Sequence, residues 1–306
     1  MKGKGTSDSG AIVVQLTDGL GNQLFQYAFA KALEQVAGGG VQLDVSWFPE
    51  FGGQLRKATP RHYGMGMYPL SLSVVPVGYA QQVIYGKGLL GRIRKALHVR
   101  RSFFRERDRD FCLANLKSVP APSVLRGFFQ KAEYAESVRE QLLADLALPE
   151  EQLNEANRQM IQKIKAAGEK AVMLHIRRGD YLKSSVAAVF GCCDAEYYRR
   201  AEALVEEKAG DDIHLFVFTD DPEWVRENYK TRHQMTLVDI NSAADGAHLD
   251  INLMRHCAHA ITANSTFSWW GAWLIANPGK CVVSPASWYA DGRKTPGLLP
   301  ESWHTV

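Results

Sequence analysis

The sequence predicts an α/β protein organised around parallel sheet, and three segments carry that prediction. Ala171–Asp180, AVMLHIRRGD, and His214–Asp221, HLFVFTDD, are apolar runs that end abruptly in charged residues. Such runs mark strands buried by neighbours on both faces. Ala260–Ala263 forms a third short strand, and Asn264, Ser265 and Thr266 follow it where a helix should begin. Strand and helix patterns alternate through the C-terminal half, which points to βαβ units.

Taken in order along the chain, residues 1–10, MKGKGTSDSG, are small, polar and glycine-rich, the composition of a disordered leader. Ala11–Thr17, AIVVQLT, reads as the first strand. Asp18-Gly19-Leu20-Gly21-Asn22-Gln23 then forms a turn, and a helix follows from about Gln23 to Val36. The glycines allow a ligand to approach the backbone closely. The dinucleotide fingerprint requires a third glycine where this chain has Leu24, so a nicotinamide or flavin dinucleotide site is poorly supported. Asn22 and Gln23 beside Gly19 and Gly21 point instead to polar contacts with a substrate. With 306 residues and 46% hydrophobic content, the chain can build two cores of about 150 residues each. The polar helical stretch within Pro149–Lys170 marks the boundary, giving an N-terminal domain over 11–160 and a C-terminal domain over 161–306.

The chemistry gathers at the strand ends. In an open parallel sheet, ligands bind beyond the carboxyl ends of the strands. Alternate residues of a strand share a face, so His175 and Arg177 lie on one side and Val172, Leu174 and Ile176 on the other. Arg177 and Arg178 at that edge suit a phosphate-bearing ligand, because each guanidinium donates a planar fork. The plainer alternative is an Arg–Asp pair that closes a turn, with Asp180 the nearest carboxylate. Thr219, Asp220 and Asp221 end the second strand, and Pro222 suits the first turn of a helix that one of the aspartates would cap. Ser265 and Thr266 are ordinary helix caps, yet hydroxyls and free N–H groups at a helix start also hold anions. Three such ends in one half of the chain favour a ligand crevice.

Composition narrows the compartment and the partners. No signal peptide and no run of about 18 apolar residues is present, so a cytoplasmic protein without a membrane span is expected. The five cysteines, at 112, 192, 193, 257 and 281, show no C-x-x-C metal spacing and are expected to be reduced thiols. The net charge of +3 conceals an asymmetry, because Arg92–Asp110 holds eight Lys or Arg against three Asp or Glu. Leu89, Leu90, Ile93 and Leu97 fall on one helical face of the same region. Segment 89–109 is therefore either a basic amphipathic helix that rests on an anionic membrane at its inner face, or a solvated helix whose leucines pack on the domain. Nucleic acid is not expected as a partner, since the tryptophans cluster in an apolar helix away from the arginines.

Four segments together, GLGNQLFQYAFAKAL, HIRRGDY, FTDDPEW and DINLMRHCAHAITANSTFSWWGAWL, resemble the α-1,2-fucosyltransferase family in its bacterial branch. The match runs in order from about Ile12 to Leu274, with little recognisable between Phe48 and about Pro149. The resemblance implies a GT-B fold, two Rossmann-like domains facing across a cleft, with the acceptor side in the N-terminal domain and GDP-fucose in the C-terminal one. It implies an inverting transfer of L-fucose from GDP-fucose to the 2-hydroxyl of a terminal galactose or N-acetylgalactosamine, in an oligosaccharide or lipid-linked glycan of O-antigen type. GDP-fucose is then a co-substrate, with no cofactor and no metal. Carried over, Arg177, Asp180 and Asn22 are the catalytic candidates. His175, Arg178, Gly19, Gly21, Gln23, Thr219, Asp220, Asn264, Ser265 and Thr266 are the donor-binding candidates. Asp18 stands where family members often carry glycine, and with Asp180 it is a candidate for the base. The acceptor-binding residues are not assigned. Another nucleoside diphosphate sugar transferase on the same scaffold, or a non-catalytic sugar-nucleotide-binding protein, are the alternatives.

Overall fold

The structure is a computed structural model that describes residues 10–53, 61–179, 181, 184–241 and 246–306. Most of the expected leader, residues 1–9, and the catalytic candidate Asp180 lie outside the described residues. The chain divides into two compact units. One takes in the described residues up to Met65 together with Leu70–Asp145, and the other Gly66–Pro69 with Leu146–Val306. The division falls at Asp145–Leu146, before the polar stretch at 149–170, because the helix in that stretch packs with the C-terminal strands.

The N-terminal unit runs β1 (Ile12–Gln15), α1 (Leu20–Ala37), β2 (Val41–Asp44), α2 (Tyr79–Tyr85), α3 (Gly88–Ala96), β3 (Phe103–Arg105), β4 (Ser123–Arg126), α4 (Ala132–Ser137) and α5 (Arg139–Asp145). Its four strands are parallel in the order β2-β1-β4-β3. Val13, Val14, Val124 and Leu125 are completely buried at its centre. Helix α1 begins earlier than expected, at Leu20, because Asp18 takes a left-handed φ of 69° and Gly19 serves as the N-cap. Gly21, Asn22 and Gln23 therefore sit in the first helical turn rather than in an open loop. Buried polar groups on α1 all have partners. Gln26 Nε2 donates to Thr17 Oγ1 and to the Gly127 carbonyl, while its Oε1 accepts from Thr17 N–H. Phe29 stacks on Phe129 at 3.8 Å and meets Phe111 and Tyr134 edge-on.

The C-terminal unit runs α6 (Glu155–Ala167), β5 (Ala171–Ile176), α7 (Ser184–Phe190), α8 (Ala195–Ala209), β6 (His214–Thr219), α9 (Pro222–Asn228), β7 (Gln234–Val238), α10 (Ala247–Met254), β8 (His259–Ile261), α11 (Thr266–Leu274), β9 (Val282–Ser284) and β10 (His304–Thr305). Six parallel strands follow the order β10-β9-β8-β5-β6-β7. The chain steps outward from β5 through β6 to β7, then returns to lay β8 on the other side of β5. That reversal places a topological switch point between the carboxyl ends of β5 and β8. The α/β class with parallel sheet read from the sequence thus holds in both units.

Both faces of β5 are covered, as its unbroken apolar run requires. Val172, Leu174 and Ile176 pack with Tyr197, Tyr198, Ala201 and Val205 of α8. On the other face Met173 lies against Gly271 of α11, where an added Cβ would come within 2.5 Å of Met254 Sδ and 3.0 Å of Met173 Sδ. Trp269, Trp270 and Trp273 of α11 are buried, and Trp269 Nε1 donates to the Leu298 carbonyl at 2.9 Å. Lys280 Nζ closes the C-terminal end of α11 by donating to the carbonyls of Ala272, Trp273 and Ile275. All five cysteines are free thiols, as the sequence suggested, and burial pushes the Cys193 thiol up to about 12.

Candidate active site

The C-terminal unit brings Arg177, Arg178, Asp220, Asp221 and the start of α11 to the carboxyl edge of its sheet. Strand β5 stops at Ile176, so both arginines follow the strand, and β6 stops at Thr219, so both aspartates follow it in the same way. Parallel pairing sets Ile176 beside Thr219 and thereby the two charged pairs beside each other. Arg177 Nη1 meets Asp220 Oδ2 at 2.9 Å. The other oxygen of Asp220 accepts from the backbone N–H groups of Arg178 at 2.8 Å and Gly179 at 3.1 Å. Gly179 leaves room for that carboxylate, since an added Cβ would come within 2.5 Å of Asp220 Oδ2 and force it to shift. Arg178 Nε donates to Asp221 Oδ2 at 3.2 Å, and its guanidinium lies 3.8 Å from the centroid of the Trp224 ring.

These contacts revise several roles. Asp220, a donor-binding candidate, fixes the Arg177 turn through one ion pair and two backbone hydrogen bonds. Asp221 caps α9 by accepting from Trp224 N–H, as the aspartate–proline pattern implied. Thr219 accepts from Asp221 N–H and so is held inside the turn. The plainer Arg–Asp reading holds for Asp220 and Asp221, which reach the arginines from the end of the neighbouring strand.

His175 is 3% exposed, with its ring 5.7 Å from that of Phe267 on α11. Burial and the nearby Arg177 charge hold it well below the usual imidazole range, against a smaller opposing effect of Asp220, so it is neutral at physiological pH. Its Nδ1 is buried without a hydrogen-bond partner among the described residues. Its carbonyl accepts from Tyr198 O–H at 3.0 Å, which ties the end of β5 to α8.

At the end of β8, Ser265 is the N-cap of α11 and its hydroxyl accepts from Phe267 N–H at 3.3 Å. Thr266 beside it is partly exposed. Asn264, expected to bind the donor, is 3% exposed and committed to the fold. Its Nδ2 donates to the carbonyls of Phe190 at 2.9 Å and Trp288 at 3.1 Å. Tyr181 O–H donates to the Asn264 carbonyl at 3.0 Å, and Arg177 lies 5.5 Å from the centroid of the Tyr181 ring. Sequence reasoning passed over Gly179, Tyr198, Trp224 and Phe267. Only Trp224 carried a signal, since it stands three residues beyond its helix cap.

In the N-terminal unit the glycine turn is equally well specified. Gln23 is completely buried, and it donates to the Asp18 and His62 carbonyls while accepting from Gly64 N–H. These three contacts hold the turn together. Gly19 caps α1, and Gly21 is buried within its first turn. Asn22 is partly exposed, and its Oδ1 accepts from Gln130 Nε2 at 2.8 Å, which leaves its own amide to donate. Arg61 approaches Asp18 at 3.6 Å. No group of three or more His, Cys, Asp or Glu placed to hold a metal occurs among the described residues.

The model of glycosyl transferase family 11 matches residues 100–303, which includes every part of the β5–β6–α11 edge. The chain belongs to glycosyl transferase family 11. The O-antigen biosynthesis glycosyltransferase WbnK of Escherichia coli is 31% identical over 94% of this chain and 98% of its own length. An α-1,2-colitosyltransferase of Escherichia coli is 26% identical over 95% of this chain and 97% of its own length. Human galactoside α-(1,2)-fucosyltransferase 1 is 29% identical over 49% of this chain and 42% of its own length. Among solved structures, the fucosyltransferase NodZ from Bradyrhizobium aligns over 86% of this chain and 92% of its own, at 14% identity and a TM-score of 0.48. This family 11 chain is a glycosyltransferase of the fucosyltransferase family, with one full-length relative named for O-antigen biosynthesis and another for colitose transfer. Among the described residues, no helix is long and apolar enough to cross a membrane.

Proposed function

We propose that this family 11 enzyme transfers L-fucose from GDP-fucose, with inversion and without a metal, to the 2-hydroxyl of a terminal galactose or N-acetylgalactosamine in a glycan. The observation that carries the reading is the Arg177 guanidinium held at the sheet's switch point by Asp220, beside the Ser265 helix start. The names of the O-antigen and galactoside α-(1,2)-fucosyl relatives support the acceptor class and the linkage.

Transfer from a sugar nucleotide passes through an oxocarbenium-like transition state, as in glycoside hydrolysis. Negative charge grows on the departing diphosphate as the bond to the sugar breaks. The positive charge of Arg177 meets that charge, and the Ser265 hydroxyl donates to a second phosphate oxygen while its lone pair accepts from Phe267 N–H. These donors are fixed before the reaction, and removing one preorganised donor of this kind costs about 2.7–4 kcal/mol, roughly 10² to 10³ in rate. Arg178, braced by Asp221 and stacked on Trp224, lends a second positive charge to the same edge. Asn22 contacts the sugar or the diphosphate through its free amide, and Asp180 or Asp18 receives the proton of the incoming hydroxyl.

The test is turnover of GDP-fucose, GDP-colitose, GDP-mannose and UDP-galactose, each with EDTA, with lactose as acceptor and the product linkage read by NMR. EDTA-resistant transfer from GDP-fucose with a new bond at the galactose 2-position is the expected result. Turnover of another donor alone overturns the fucose assignment. Colitosyl transfer is the second reading, favoured by the name of one full-length relative, and the same panel separates the two.

A further inference from the structure

Ten large apolar side chains stand exposed among the described residues, and seven of them fall within Val74–Val99 of the N-terminal unit. Helix α3 is the centre of this patch. Leu89 is 72% exposed, Leu90 64% and Leu97 68%, with Ile93 at 46%. At about 100° per residue these four side chains occupy roughly 100° of arc, one continuous apolar stripe. Gly91, the one buried residue of α3, lies on the opposite side, where an added Cβ would meet the Gly86 carbonyl at 2.3 Å. The helix is thus seated on the protein through its glycine and turns its leucines outward. The leucines do not pack on the domain.

The charge around the stripe is of one sign. Residues 70–105 contain seven Lys or Arg and no Asp or Glu. Arg92 and Arg94 flank the stripe on its two sides, Lys87, Arg100 and Arg101 are exposed beside it, and Lys95, exposed toward the Gly91 side, donates to Gln81 Oε1 of α2. A cleft of about 560 Å³ opens between α2 and α3, with Lys87, Arg92 and Lys95 among the residues that line it.

We propose that α3 and its basic flanks form a docking surface for an anionic lipid bilayer, with the leucines entering the headgroup boundary and the arginines and lysines meeting lipid phosphates. Long basic side chains suit this arrangement, since their stems follow apolar surface while the charged ends reach phosphate. A second copy of this chain fits the same face poorly, because a symmetric pairing would set two positive rims against each other. The inference does not depend on which sugar is transferred.

The experiment is co-sedimentation of the full chain with vesicles of phosphatidylcholine alone and of phosphatidylcholine with phosphatidylglycerol, without donor or acceptor. Binding to the anionic vesicles at low salt is expected, weakening as salt shortens the Debye length from about 10 Å to about 3 Å. The double variant Leu89→Ser/Leu90→Ser lowers it at either salt. Arg92→Glu/Lys95→Glu lowers binding to anionic vesicles by about tenfold or more, from the loss of attraction per basic residue. All four side chains are exposed, so melting by circular dichroism stays unchanged and separates lost docking from lost folding. Absence of binding to anionic vesicles at low salt, or variants that bind as the wild type does, overturns the proposal. So does a dimer on size exclusion that dissociates in the leucine variant while vesicles are ignored.

Discussion

Arg177 and Asp220 are joined at 2.9 Å across the ends of two adjacent parallel strands, and the same carboxylate accepts from the two backbone N–H groups that follow the arginine. One side chain therefore sets both the direction of the guanidinium and the path of the backbone behind it. Asp220→Asn keeps an acceptor for the backbone but removes the ion pair. The attraction of Arg177 for phosphate is then no longer offset by a neighbouring carboxylate, while its direction is no longer fixed. The expected outcome is a kcat about tenfold or more lower with GDP affinity unchanged or tighter, a split that steady-state kinetics and calorimetric GDP titration read directly. Equal loss of binding and turnover would argue against a positioning role.

Gly179→Ala perturbs the same turn by sterics alone. The added methyl group collides with Asp220 Oδ2, so the carboxylate must leave Arg177 or the loop must move. Activity is expected to fall together with that of Asp220→Asn, and the double variant is expected to lose little more than either single change. A double-mutant cycle on kcat measures this coupling, and simple additivity would contradict it.

Asp250 on α10 gives a pH signature in stability. Burial raises its carboxyl to about 6, against a smaller lowering by the hydrogen bond from Asn241 Nδ2 at 2.8 Å. The folded state thus holds a proton that the unfolded chain releases near pH 4. Stability from this group is present at low pH and is lost as pH rises through about 6. Asp250→Asn is expected to be more stable than the wild type at pH 8, by about 1–2 kcal/mol after allowance for partial exposure, with the gap closing below pH 5. Urea unfolding at a series of pH values checks both the sign and the window.

Cys193 and Cys257 are predicted to resist alkylation in the native protein. Burial raises both thiols, so little thiolate forms at pH 8, and the buried Cys257 is shielded from reagent as well. Mass spectrometry after brief iodoacetamide treatment at pH 8 is expected to find both unmodified, and both labelled once the chain is unfolded. Rapid native labelling of Cys193 would place solvent where the structure has Asn264.

Much of the fold was legible because buried parallel strands leave an unmistakable trace. The runs at 171–176 and 214–219 are apolar on both faces, and the polar residues that end them mark the sheet edge. The partners of those polar residues were not legible. Asp220 lies 43 residues from Arg177 in the chain, and only strand pairing brings it near. Asn264 resembled a ligand because it begins a helix, but its amide bridges carbonyls near 190 and 288, a relation with no local signal. The partners of Gln23 were hidden for the same reason, since they lie at 18, 62 and 64. For α3, the periodicity revealed a stripe of leucines without saying what covers it.

The central claim is that Arg177, held by Asp220, stabilises the diphosphate as it leaves, and single-turnover transfer from GDP-fucose in Arg177→Ala tests it most directly. The account predicts a loss of several hundredfold in the chemical step, about 3–4 kcal/mol, with the fold intact by circular dichroism. A variant that transfers fucose within a few-fold of the wild-type rate would contradict it.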